Sequence, residues 1–161
     1  MSVNAFTRLR STRGVIDLAS VLVGVLVLGI VSSIATVSIV GVVNVSADKT
    51  AIGEIHAART SELAARVSAR EFQPSAELIA GGFSLSRPRL VVNTDANRTC
   101  YLAVAASTTG TVYFGSSQSK SATELIDVAA TGCVGPNTVK AMAKSVCTVA
   151  LGSAAACTKW N

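Results

Sequence analysis

The residues with the plainest covalent chemistry are Cys100, Cys133, Cys147 and Cys157, all at or beyond position 100. An even number of cysteines suits disulfides in an oxidising compartment. Metal ligation is the rival chemistry. The separations of 33, 14 and 10 residues match no close-paired zinc motif, and the single histidine, His56, lies far from them in sequence. His56, with Glu54 nearby, reads as a surface residue rather than a ligand, and one histidine outside the C-terminal region leaves no Ser–His–Asp arrangement. No enzymatic activity, metal or cofactor is expected. Tyr101, Tyr113 and Trp160 read as packing residues. Asn44–Val45–Ser46 and Asn97–Arg98–Thr99 match the glycosylation sequon, a pattern common by chance. Asp17 is the only charged residue between Val15 and Val43. A carboxylate in so apolar a stretch is costly unless it is paired, or solvated at a membrane interface.

The elements that must position these residues divide sharply by composition. Half of the 161 residues are hydrophobic and only 14% are charged, against about 25% in an ordinary soluble chain. The deficit is concentrated in residues 15–43, VIDLASVLVGVLVLGIVSSIATVSIVGVV. As a helix this run extends about 43 Å, more than the roughly 30 Å of a bilayer core. It exceeds the apolar region of a secretory signal, about 7–15 residues. In lipid a lone span must be helical, because only a helix satisfies its own backbone. Gly24, Gly29, Ser32, Ser33, Ala35 and Gly41 permit close approach of other helices, or reflect ordinary membrane-helix composition.

Before this run lie Arg8, Arg10 and Arg13 and no acid; without them eleven basic residues face nine acidic ones. The net charge of +5 is therefore largely a flank of the apolar run, where basic residues set membrane orientation. No basic and aromatic cluster elsewhere suggests a nucleic-acid surface.

Residues 44–71 predict a polar continuation of the same helix, giving about 57 residues and roughly 85 Å in all. Ile52, Ile55, Leu63 and Val67 form a sparse apolar stripe, Glu62 and Arg66 stand at the spacing of a side-chain pair, and Pro74 marks the end. Leu90–Asn93, Cys100–Ala105 and Thr111–Phe114 read as strands, the last two joined by a turn over 106–110. Ser121–Ala130 reads as a short helix with Glu124 three residues after Ser121. Asn137–Ser145 reads as a helix or turn, and Val146–Leu151 with Ala156–Trp160 as a final hairpin around Gly152–Ser153. The fold class is thus α+β: a long N-terminal helix, membrane-spanning and then amphipathic, packed on a small C-terminal antiparallel sheet with disulfides.

A short basic segment ending in Gly14, an immediate long apolar helix, an amphipathic continuation and a cysteine-bearing C-terminal region follow one another in this order. In this the chain resembles type IV pilins and pseudopilins. The phrase RGVIDLASVLVGVLVLGIVSSIA is similar to the N-terminal region of actinobacterial pilin-like proteins. The resemblance is strongest over residues 11–43 and architectural beyond them. It implies four segments: a leader at 1–14, a membrane and filament-core helix at 15–43, its continuation at 44–73 and a globular region at 74–161. It further implies that a prepilin peptidase cuts between Gly14 and Val15 and that the Val15 amine is methylated. It gives Asp17 the assembly role that the family assigns to a glutamate at the position of Ala19, two residues later. The proline usual near the middle of the span is missing.

Four cysteines allow three pairings. The expected one joins Cys100 to Cys133, tying a strand to the loop after 121–130, and Cys147 to Cys157, closing the last hairpin. The expected function is structural: a subunit of a type IV pilus-like filament, self-assembled through its N-terminal helix after residence in the cytoplasmic membrane with the C-terminal region outside. Its partners are then further copies of the chain, the peptidase, the assembly machinery and, at first, the membrane. The alternatives are a minor pilin or pseudopilin of a secretion or DNA-uptake machine, and a membrane-anchored extracellular domain that never polymerises.

Overall fold

The computed structural model describes residues 18–85 and 88–160, with side chains from Val21 onward except those of residues 29–40 and Ala130. The leader, Gly14, Val15 and Asp17 lie outside the described residues. The chain divides after Val40 into two compact units.

Helix α1 is assigned over Leu18–Ala69. In the first unit its described side chains, Val21–Leu28, are exposed. Among the described residues no helix is long and apolar enough to cross a membrane. The span expected at 15–43 is therefore not shown as one; its described side chains are 21–28 and 41–43 only.

The second unit, Gly41–Asn161, is an antiparallel four-stranded sheet between two helical layers. Its strands are β1 (Leu90–Thr94), β2 (Tyr101–Ala106), β3 (Val112–Ser116) and β4 (Thr123–Glu124), in spatial order of sequence. Register runs from Leu90 opposite Ala105 to Thr94 opposite Tyr101, and from Leu102 opposite Ser116 to Ala106 opposite Val112. β2 is buried along its whole length, because alternate side chains enter two cores. Tyr101, Ala103 and Ala105 face α1, whereas Leu102, Val104 and Ala106 face the third long element. The β2–β3 turn closes with the Ser107 N–H donating to the Thr111 carbonyl at 2.9 Å, and Gly110 there has φ +89°.

That third element is α3 (Pro136–Leu151), which follows the six-residue α2 (Ser75–Ala80) in the helix order. Val139, Met142, Ala143, Val146 and Cys147 are its buried residues, the i, i+3, i+4, i+7 and i+8 spacing of one helical face. Pro136 opens it and Gly152, at φ +69°, ends it. The hairpin expected around Gly152–Ser153 is thus corrected. Val146–Leu151 belong to the helix, and Ala154–Ala156 and Thr158–Trp160 are 3-10 turns. Helical burial of Val146 and Cys147 outweighs the strand preference of a valine-rich segment.

The helix expected over Ser121–Ala130 is also corrected. Thr123 and Glu124 pair with Phe114 and Tyr113, and the Leu125 N–H donates to the Val112 carbonyl at 2.8 Å. Asp127 then caps a 3-10 turn over Val128–Thr131 through the Ala129 N–H. Leu125 is fully buried while Ile126 is 73% exposed. That alternation suits an edge strand better than a helix.

Candidate functional site

Two regions could carry function: the apolar surface of α1 and the junction at its C-terminal end. Residues Val21, Leu22, Val23, Val25, Leu26, Val27 and Leu28 are 50–67% exposed. Eight consecutive residues of a helix sample every direction around its axis, so this surface is apolar all round. In the second unit Val42, Val43 and Val45 are likewise exposed. A helix of this kind is stable only with lipid or other apolar helices around it.

The junction is built from the face of α1 that meets the sheet. Its buried residues are Ala51, Ile55, Ala58, Glu62 and Ala65. The stripe expected from Ile52, Ile55, Leu63 and Val67 is therefore corrected: Ile55 is buried, but Leu63 is 50% and Val67 85% exposed. Small residues win this face because the sheet presents Ala103, Ala105 and Gly115, which bring the backbones close. Glu62 shares the spacing and is carried into the interface with them. Its residue is fully buried. Oε2 accepts the Gln73 N–H at 3.1 Å, and Oε1 has no hydrogen-bond partner.

The Glu62–Arg66 pair expected from spacing does not form among the described residues. The Arg66 guanidinium lies 4.7 Å from the Phe72 ring centre instead. Phe72 meets Tyr101 edge to face at 5.0 Å. α1 ends at Ala69, and Arg70 takes the left-handed conformation at φ +64°. The Phe72 N–H donates to the Arg98 carbonyl, and Arg98 binds Glu71 and Glu77 at 2.8 and 2.6 Å. Asp95 shapes the loop that presents Arg98. It accepts the Cys100 N–H at 2.8 Å, the main reason its carboxyl is held below the usual range, with Thr99 also donating.

The disulfides join Cys100 to Cys133 and Cys147 to Cys157, with Cα separations of 5.9 and 6.0 Å. This is the pairing the sequence favours, although the second bond ties the end of α3 to the C-terminal tail rather than closing a hairpin. His56 is exposed, and Trp160 and Tyr101 are buried packing residues. Among the described residues no group of three or more His, Cys, Asp or Glu could hold a metal ion. A cleft of about 290 Å³ between α1 and the β2–β3 turn is lined by Ser46, Thr50, Glu54, Arg89, Ser107 and Thr108. Burial raises the Glu54 pKa against the opposing charge of Arg89.

Sequence reasoning missed Glu62, Gln73 and Arg98 as junction residues. The signal for Glu62 was its place in the 51, 55, 58, 62, 65 series among alanines. Nothing in the sequence marks Arg98. Comparison with protein-family models, curated proteins and solved structures gives no match for this chain.

Proposed function

We propose that the chain is a structural subunit of a type IV pilus-like filament, assembled through its N-terminal helix. The observation that carries this reading is the exposed, all-round apolar surface of Val21–Leu28, in a helix assigned over Leu18–Ala69. Uncovered, each such side chain forgoes about 1.5–3 kcal/mol of burial. Two environments relieve that: lipid before assembly, and the same helices of other copies afterwards.

The sequence beside the helix supports the same reading. Three arginines precede Gly14, and the apolar run begins at once with Val15. A peptidase acting between Gly14 and Val15 releases an amine beside the run, and Asp17 is the one acidic residue of residues 15–43, available to pair with such an amine in the proposed assembly. The disulfide-bonded α+β region then forms the outer surface, where an oxidising environment maintains both bonds.

Mass spectrometry of the mature N-terminus tests the reading. A chain beginning at Val15, with or without one added methyl group, recovered from sheared surface filaments is the expected result. A chain retaining its leader in cells with an active prepilin peptidase overturns it. An intact Gly14–Val15 bond in a chain that stays in the membrane identifies the non-polymerising anchored domain, whereas a chain cleaved at Val15 but absent from filaments fits the minor pilin or pseudopilin alternative.

A further inference from the structure

Glu62 is a carboxyl group in a place built for something smaller and apolar. Ala58 and Ala65 lie one turn to either side on the same face of α1, and all three residues are at most 1% exposed. Two arginines of the same helix stand within a turn, yet neither neutralises it. Arg59 donates to the carbonyls of Ser119 and Lys120 at 3.3 and 2.9 Å, and Arg66 is stacked on Phe72. From β2 the facing titratable group is Tyr101; β3 presents Tyr113 and Gly115 on this face, and β1 presents Leu90 and Val92. Glu71 and, on α2, Glu77 are both engaged by Arg98. Among the described residues, one backbone N–H, from Gln73, is the only partner the carboxyl has.

A buried carboxylate with a single donor and an unmet oxygen costs far more than the neutral acid in the same place. The group responds by holding its proton: burial pushes the Glu62 pKa up to about 7, against the smaller lowering effect of the Gln73 hydrogen bond. The unfolded chain exposes the same group with an ordinary value of 4.5. Between those values the folded protein binds the proton and the unfolded chain does not. Stability from this group is therefore full below the lower value and is lost as pH rises through the upper one.

We propose that Glu62 is a proton-controlled latch between α1 and the segment Phe72–Ser75. Uncharged, it closes the helix–sheet interface over Phe72 and Tyr101. Charged, it must draw water or a cation to Oε1; the Gln73 N–H favours the charge but does not replace hydration, so water enters only where the segment joined to it at Gln73 parts from α1. This segment leads directly from α1 into α2, and its Ser75 hydroxyl bonds both the N–H and the carbonyl of Val92 on the edge strand. Opening it therefore also bares the outer edge of β1.

The test uses the full chain in zwitterionic detergent and its Glu62→Gln variant, which is neutral at every pH and keeps an oxygen for the Gln73 N–H. Between about pH 5 and pH 8 the thermal midpoint of the parent falls more than that of the variant. The two proteins share every other titratable group, so the difference between their profiles isolates residue 62. Over the same range the amide protection of Phe72 and Gln73, corrected for intrinsic exchange, drops about tenfold or more in the parent, while β2 amides change less. Parallel midpoint profiles, or exchange that rises equally throughout, overturn the proposal. Should the variant fail to fold, the carboxyl carbon shift of Glu62 in the parent decides: a titration midpoint near 7 supports the latch, and one below about 5 overturns it.

Discussion

A methyl group added to Gly115 would meet Ile55 Cγ2 at 2.5 Å. That carbon is a branch on the stiff β-carbon of a buried helical residue, so it cannot swing away without moving α1. Gly115→Ala is therefore expected to destabilise the second unit by about 1–3 kcal/mol through overpacking. Urea unfolding at unchanged slope measures this. Ile55→Ala removes the opposing carbon, so the double variant should cost less than the two single ones together. Full additivity would show that α1 and β3 do not meet where the geometry places them.

At the scale of elements, the Cys147–Cys157 bond fixes the last turn of α3 to a tail of two 3-10 turns. Those turns contain few buried side chains besides Cys157 and Trp160, whose indole is 5% exposed in the core with Leu125 and Val146. Replacing both cysteines by alanine is expected to cost about 2–4 kcal/mol and to free the tail. Trp160 is the only tryptophan, so its emission reports the release directly. A blue, unshifted emission with an unchanged unfolding midpoint would show that packing alone holds the tail. The tail also shows why the sequence was only partly legible. Strands β1 to β3 and the polar reach of α1 follow from runs and periodicity local to each segment. The end of α3 was misread because its valines prefer strands in isolation, and only the sheet behind them favours the helix. The two-residue β4 has no pattern of its own; it exists because β3 offers Tyr113 and Phe114 as partners. The junction was hidden for a similar reason. Arg98 meets Glu71 and Glu77 across separations of 27 and 21 residues, beyond any periodicity.

At the scale of the whole molecule, two kinds of surface divide the work. The second unit has two apolar cores on either side of one sheet and is held by two disulfides. In the first unit the valines and leucines of residues 21–28 lie outside. A protein that needed only to fold would gain nothing from such a surface, and in water it invites association. The proposed filament uses that association, which makes the surface separable from the fold by mutation. Leu22→Asp and Leu26→Asp each place a charge where the residue is 63% exposed, so neither disturbs a contact within the described structure. Their unfolding midpoints in detergent should match the parent within about 0.5 kcal/mol, as for other surface substitutions. In a bundle of apolar helices, however, each charge would be buried without a partner, at a cost of several kcal/mol per copy. Filament yield in sheared surface fractions should therefore fall steeply, and since one charge also costs about 2.5–3.5 kcal/mol in the lipid stage, the yield is read per disulfide-bonded subunit recovered in the membrane fraction. Normal filament yield from both variants would show that Val21–Leu28 does not lie between subunits. The outer surface would then have to carry assembly, and the exposed Leu63 and Val67 of α1 would be the first residues to test.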